Sequence, residues 1–110
     1  MAKTLNFNNL KKRYFTVTLA DEKETTLMIS TPTKEIMDEF IALKDSLTAE
    51  NMGEDAIDEL YGLCAKIMSR NKGGIKITQK ELSQMFDFED VIIFIRSYTE
   101  FINELTNSKN

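Results

Sequence analysis

The sequence predicts an α+β fold that is mostly α, with an N-terminal antiparallel β-hairpin followed by about four helices, the last one central. Three observations predict it. Two short runs near the N-terminus, residues 14–20 and 25–30, alternate apolar and polar side chains on either side of a charged turn. Downstream, apolar residues recur at helical spacing behind recognisable capping residues. The last of these segments, DFEDVIIFIRSYTEFINEL over residues 87–105, is apolar around more of its circumference than a surface helix needs.

The elements follow in chain order. Residues 1–13 are polar and basic, with Leu5, Phe7 and Leu10 scattered among them. They read as a flexible arm, and Lys11, Lys12 and Arg13 could dock it on an acidic neighbour. In the first strand Phe15, Val17 and Leu19 share one face, and Tyr14, Thr16 and Thr18 share the other. Leu27 and Ile29 continue the apolar face in the second strand. A lone hairpin is marginal in water, so it needs a helix against that face. Its threonine-bearing edge, with Thr16 and Thr18, is open to another chain.

Thr31 and Pro32 read as cap and first turn of a helix carrying Ile36, Phe40, Leu43 and Leu47. A polar loop over 48–53 precedes a second amphipathic helix over 54–68, with Leu60, Cys64 and Ile67 on its apolar face. Asn71-Lys72-Gly73-Gly74 is expected to end it, with the two glycines supplying the left-handed conformation of a C-cap. Thr78 and Glu81 are spaced as a capping box for a short third helix. Asp87 caps the fourth, with Glu89 and Asp90 at the positive end of its dipole. Phe88, Val91, Ile92, Ile95, Ile102 and Leu105 form one stripe of this helix; Phe94, Tyr98 and Phe101 form a second.

A chain of 110 residues suits a single domain, here 14–105 between the arm and a frayed tail over 106–110. A net charge of −4 and a pI near 4.9 argue against a nucleic-acid partner held through phosphates. Arg96, Glu100 and Glu104 interrupt the most apolar segment, so no membrane partner is expected either. The chain has no histidine, and Cys64 is its one cysteine. That excludes an internal disulfide, the usual Cys/His zinc sites and histidine-based triads. Cys64 reads as a buried structural thiol. No cofactor, metal or catalytic residue is expected, and an enzyme is the least expected class. The N-terminus lacks the apolar stretch of a secretory signal, so a reduced, cytoplasmic setting is the expectation.

The carboxylate clusters sit where helix N-termini and polar faces put them. The segment from Thr78 to Phe86 resembles the positioning helix of a helix-turn-helix, but the next helix offers Val91, Ile92 and Ile93 where base-reading side chains belong. What remains is surface for self-association or a partner. Phe94, Tyr98 and Phe101, on the flank of the last helix, are the expected contacts, together with Thr16 and Thr18 at the hairpin edge. A charged residue at Phe94 or Tyr98 is then expected to weaken association while leaving the monomer folded.

The order of motifs carries a resemblance. Leu5-Asn6-Phe7 and Leu10-Lys11-Lys12 precede Tyr14 and Thr16-Val17-Thr18-Leu19. Thr31-Pro32-Thr33-Lys34, Ile57-Asp58-Glu59-Leu60-Tyr61 and Ala65-Lys66-Ile67-Met68-Ser69-Arg70-Asn71-Lys72 follow, and Asp87-Phe88-Glu89-Asp90-Val91-Ile92-Ile93-Phe94 closes the set. Taken together it resembles the small tail assembly chaperones of long-tailed phages and prophages of Gram-positive bacteria. The resemblance implies a non-enzymatic, self-associating protein of the host cytoplasm, absent from the mature virion. It implies that the tape measure protein is the client, kept soluble until tail tube protein replaces the chaperone. It also implies a longer, frameshifted form as a further partner, and Lys109-Asn110 is compatible with an A-rich slippery site. The alternatives are a helix-turn-helix DNA-binding regulator and a structural tail completion protein.

Overall fold

A computed structural model describes residues 4–47 and 53–107. Most of the loop expected over 48–53, the last three residues of the tail and the side chain of Leu47 lie outside what is described. The fold class is the one the sequence predicts: a two-stranded antiparallel hairpin followed by four helices, mostly α.

The hairpin pairs β1 (Phe15–Thr18) with β2 (Thr26–Ile29), Phe15 opposite Ile29 and Thr18 opposite Thr26. Its turn is closed by Asp21, whose carboxylate accepts the Thr25 backbone N–H at 2.8 Å and the Thr25 hydroxyl at 2.6 Å. These bonds stabilise the ionised form, so the Asp21 carboxyl titrates below its ordinary range. Leu19, Leu27 and Ile29 are buried, while Thr16, Thr18, Thr26 and Met28 face solvent, as the alternation requires.

Helix α1 (Lys34–Leu47) begins later than the Thr31–Pro32 signal suggests. Thr33 caps it: its hydroxyl accepts the Ile36 N–H at 3.3 Å and its carbonyl accepts the Met37 N–H at 2.9 Å. The Thr31 carbonyl is instead engaged by the Arg70 guanidinium at 2.9 Å. Pro32 therefore precedes the cap rather than entering the first turn, since it holds the residue before it out of helical conformation.

Helix α2 (Glu54–Ser69) does not close on the glycine pair. Asn71 closes it, donating from its amide to the carbonyls of Met68 and Ile75 at 2.8 and 2.6 Å and accepting the Ile75 N–H at 2.9 Å. Gly74, with φ +70, supplies the left-handed residue of the following turn. The same segment pairs with β2: Ser30 N–H donates to the Arg70 carbonyl at 2.7 Å, and Lys72 N–H to the Met28 carbonyl at 2.9 Å.

Both later caps form as the spacing predicts. Thr78 and Glu81 make a reciprocal capping box on α3 (Gln79–Met85). Asp87 makes a second one on α4 (Phe88–Thr106), and its partner is Asp90. Helix α2 packs against α1, α3, α4 and β2. Helix α4 contributes Val91, Phe94, Ile95, Tyr98 and Phe101 to the single buried cluster.

Candidate functional site

The flank of α4 expected to meet a partner is core. Phe94, Tyr98 and Phe101 are 5%, 1% and 8% exposed. Phe15 of β1 sits over all three, with ring centroids 5.5 to 6.0 Å away. Phe94 stacks on Tyr98 at 5.8 Å, and Phe40 meets Tyr98 edge-on. The reason is geometric. The apolar face of the hairpin must bury Phe15, and the aromatic stripe of α4 is the surface large enough to do so. The expectation that a charged residue at Phe94 or Tyr98 leaves the monomer folded is therefore corrected. Of the first stripe, Val91 and Ile95 are buried, but Phe88 is 39% exposed.

Thr16 and Thr18 stand differently. The Leu19 N–H bonds the Thr25 carbonyl at 2.8 Å, which makes Leu19, Val17 and Phe15 the residues whose backbone groups point toward β2. The N–H and C=O groups of Thr16 and Thr18 thus point away from the ladder. The outer edge of β2 is occupied by residues 70–72, whereas among the described residues no backbone pairs with the outer edge of β1.

A groove of about 340 Å³ runs beside that open edge. Its other wall is α4, where Asp90, Ile93 and Ser97 line up at i, i+3 and i+7, with Phe94 beneath and Phe86 at one end. Ile93 is the most exposed large apolar residue of the helix, at 54%. Phe86 is held in place through its backbone: its N–H donates to the Leu82 carbonyl at 2.8 Å, and its carbonyl accepts the Tyr61 hydroxyl at 3.0 Å. Burial pushes the Tyr61 hydroxyl above its ordinary range, with a smaller contribution from the Asp87 charge, so it remains a donor at neutral pH. Asp90 is fixed by the capping box, accepting the Asp87 N–H at 3.0 Å. The acidic N-terminus of α4 therefore lies at the end of the groove toward Ala20 and Phe86.

Groove residues Phe86, Asp90, Ile93 and Ser97 were not among the expected contacts. One signal was available: Ile93 falls outside both apolar stripes of its helix, so it is the isoleucine the core has least use for.

The arm carries Leu5, Phe7 and Leu10 at 66%, 69% and 40% exposure, around a short 3-10 turn (Phe7–Asn9) whose cap is Asn6. Lys11, Lys12 and Arg13 are also exposed. Arg13 lies beside Asn103, Glu104 and Asn107, at the C-terminal end of α4.

The remaining chemistry is limited. Cys64 is buried, and desolvation pushes its thiol up to about 12, so it is neither nucleophile nor ligand at neutral pH. Among the described residues no group of acidic or cysteine side chains could hold a metal ion, and no helix is long and apolar enough to cross a membrane. A second cavity, between α1, α2 and α3, is crossed by the exposed Lys66–Glu39 ion pair at 3.0 Å. Of the pair of helices weighed for DNA reading, α4 exposes Glu89, Asp90, Glu100 and Glu104 against Arg96, and α3 exposes Lys80 and Glu81.

Comparison with known protein families, with curated proteins and with solved structures finds no match.

Proposed function

We propose that this chain is a tail assembly chaperone, a non-enzymatic, self-associating protein that binds the apolar, helical tape measure protein and keeps it soluble in the host cytoplasm during tail morphogenesis. The ordered set of motifs along nearly the whole chain supports the reading. The structural observation that carries it is the open β1 edge beside the groove of Phe86, Ile93 and Phe94. Unpaired strand backbone next to the exposed Ile93 and the half-buried Phe86 is a surface for another polypeptide. A coat on a long apolar client needs such surfaces and no reactive group. Met28, Ile41, Ile75 and Phe88, each exposed, add apolar area elsewhere on the molecule.

Co-expression with the tape measure protein of the same gene cluster, followed by pull-down and size-exclusion chromatography, tests the proposal. The expected result is a large soluble complex, with the tape measure protein insoluble when expressed alone. A tape measure protein that is soluble alone and does not co-purify overturns it. In that case, mass spectrometry of purified virions identifies a structural tail component if the chain is found in the particle.

A further inference from the structure

We propose that the groove between β1 and α4 receives the N-terminal arm of a second copy of this chain, so that copies join head to tail. The inference rests on the self-associating reading above and names the contact.

The two surfaces are complementary. The arm presents Leu5, Phe7 and Leu10 to solvent, followed immediately by Lys11 and Lys12. The groove presents Ile93 and Phe86, with the Thr16 and Thr18 backbone, unpaired among the described residues, along one side and Asp90 at one end, in the first turn of α4 that also carries Glu89. Once the short 3-10 turn at Phe7–Asn9 opens, the arm can add to the β1 edge and satisfy those backbone groups, with Leu5 and Phe7 on the face that covers Ile93. Its lysines then meet the acidic first turn of α4, where the helix dipole is already countered by carboxylates.

The occupant is a second copy because the arm's own course leads away from its groove. The arm joins β1 at Phe15, and Arg13 lies beside Asn103, Glu104 and Asn107. That end of α4 is roughly 20 Å from Asp90, at 1.5 Å of rise per residue. To enter its own groove the chain would have to reverse within residues 10–14, LKKRY, which contain no glycine, asparagine or proline. An arm-into-groove contact is heterologous, and each added copy leaves one arm and one groove open. It therefore builds a chain or ring rather than a closed dimer.

The test uses two full-length variants altered at exposed positions. Phe7→Ser with Leu10→Ser disables the arm; Ile93→Lys disables the groove. Sedimentation velocity is run on the wild type, on each variant and on their mixture. The wild type is expected to form higher species that grow with concentration and shrink with salt. Each variant alone is expected to be monomeric, with association weakened about tenfold or more. The mixture is expected to stop at a one-to-one pair, because one intact arm and one intact groove remain. A monomeric wild type, arm-disabled variants that associate like the wild type, or a mixture that fails to pair each overturn the proposal. The client pull-down is scored separately: arm-dependent association without tape measure binding leaves this contact standing and removes the chaperone reading.

Discussion

The hydroxyl of Tyr98 donates to the carbonyl of Ser30 at 3.2 Å, tying the middle of the last helix to the end of the hairpin. The same side chain packs under Phe15 and Phe40 and is nearly inaccessible. One residue thus joins β1, the segment just after β2, α1 and α4. Tyr98→Phe is expected to cost about 1 kcal/mol, the net value of one hydrogen bond. Phe94→Lys places a charge between the rings of Phe15 and Tyr98 and is expected to cost several kcal/mol, enough to abolish a cooperative transition in a domain of this size. Urea denaturation followed by circular dichroism measures both.

Stability is expected to fall on the alkaline side. Burial raises the Cys64 thiol from an ordinary 9.0 to about 12 and the Tyr98 hydroxyl from 10.0 to about 12. Between those values the unfolded chain has lost protons that the folded chain retains. The unfolded state binds fewer protons, so the unfolding free energy decreases as pH rises through this window. Cys64→Ala should delay the onset of the decline from near pH 9 to near pH 10. Unfolding midpoints from pH 8 to 11 check this. In the wild type, the thiol should react with a disulfide reagent only after denaturation.

The same substitution at two glycines is expected to have opposite signs. Gly74→Ala forces a side chain into φ +70 and should cost about 1–2 kcal/mol, although nothing lies within 4 Å of the new methyl. Gly62 lies inside α2, where alanine is favoured by about 1 kcal/mol. Its new methyl meets only the amide end of Gln79, at 3.1 Å. That amide can rotate away at the loss of its 3.0 Å bond to the Asp58 carbonyl. Gly62→Ala should therefore gain a few tenths of a kcal/mol, read from thermal midpoints.

Asp87→Ala removes the acceptor for the Asp90 N–H, held at 2.8 Å, and half of the capping box on α4. The expected cost is about 1 kcal/mol, while Asp87→Asn, which keeps an acceptor, should cost less. Urea midpoints of the two variants separate capping from charge.

Local signals in the chain were enough for much of the architecture. Alternation in residues 14–20 and 25–30 specifies a hairpin with Leu19, Leu27 and Ile29 inward, because side chains alternate across a strand whatever lies beyond it. Thr78 with Glu81, and Asp87 ahead of an apolar run, specify helix starts, because caps satisfy backbone groups within one turn. Cys64 falls on the apolar face of its helix, and that face is the one buried in the core. At two helix ends, bonds made in the folded chain moved the boundary from the residues the local signal suggests. Thr31 gave way to Thr33 because Arg70 engages its carbonyl, and the glycine pair gave way to Asn71, whose side chain bridges both ends of the turn.

That the aromatic stripe of the last helix faces inward, together with Val91 and Ile95 of the other stripe, could not be read from the chain. Both stripes have helical spacing, and periodicity says nothing about which neighbour arrives. Tertiary structure decided it by bringing Phe15 over Phe94, Tyr98 and Phe101, since the hairpin's exposed apolar face is stabilised most by the largest aromatic surface within reach. Ile93, in neither stripe, stays outside, beside the edge of β1 that is unpaired among the described residues. The groove therefore exists only in three dimensions, made from residues 15–20 and 86–97, which neither segment reveals alone. The sequence by itself determined the fold class, the helix caps and the inward face of the hairpin, all set by bonds and packing within a few residues. The position of the interaction surface depended on contacts between segments some seventy residues apart, and only packing could select them.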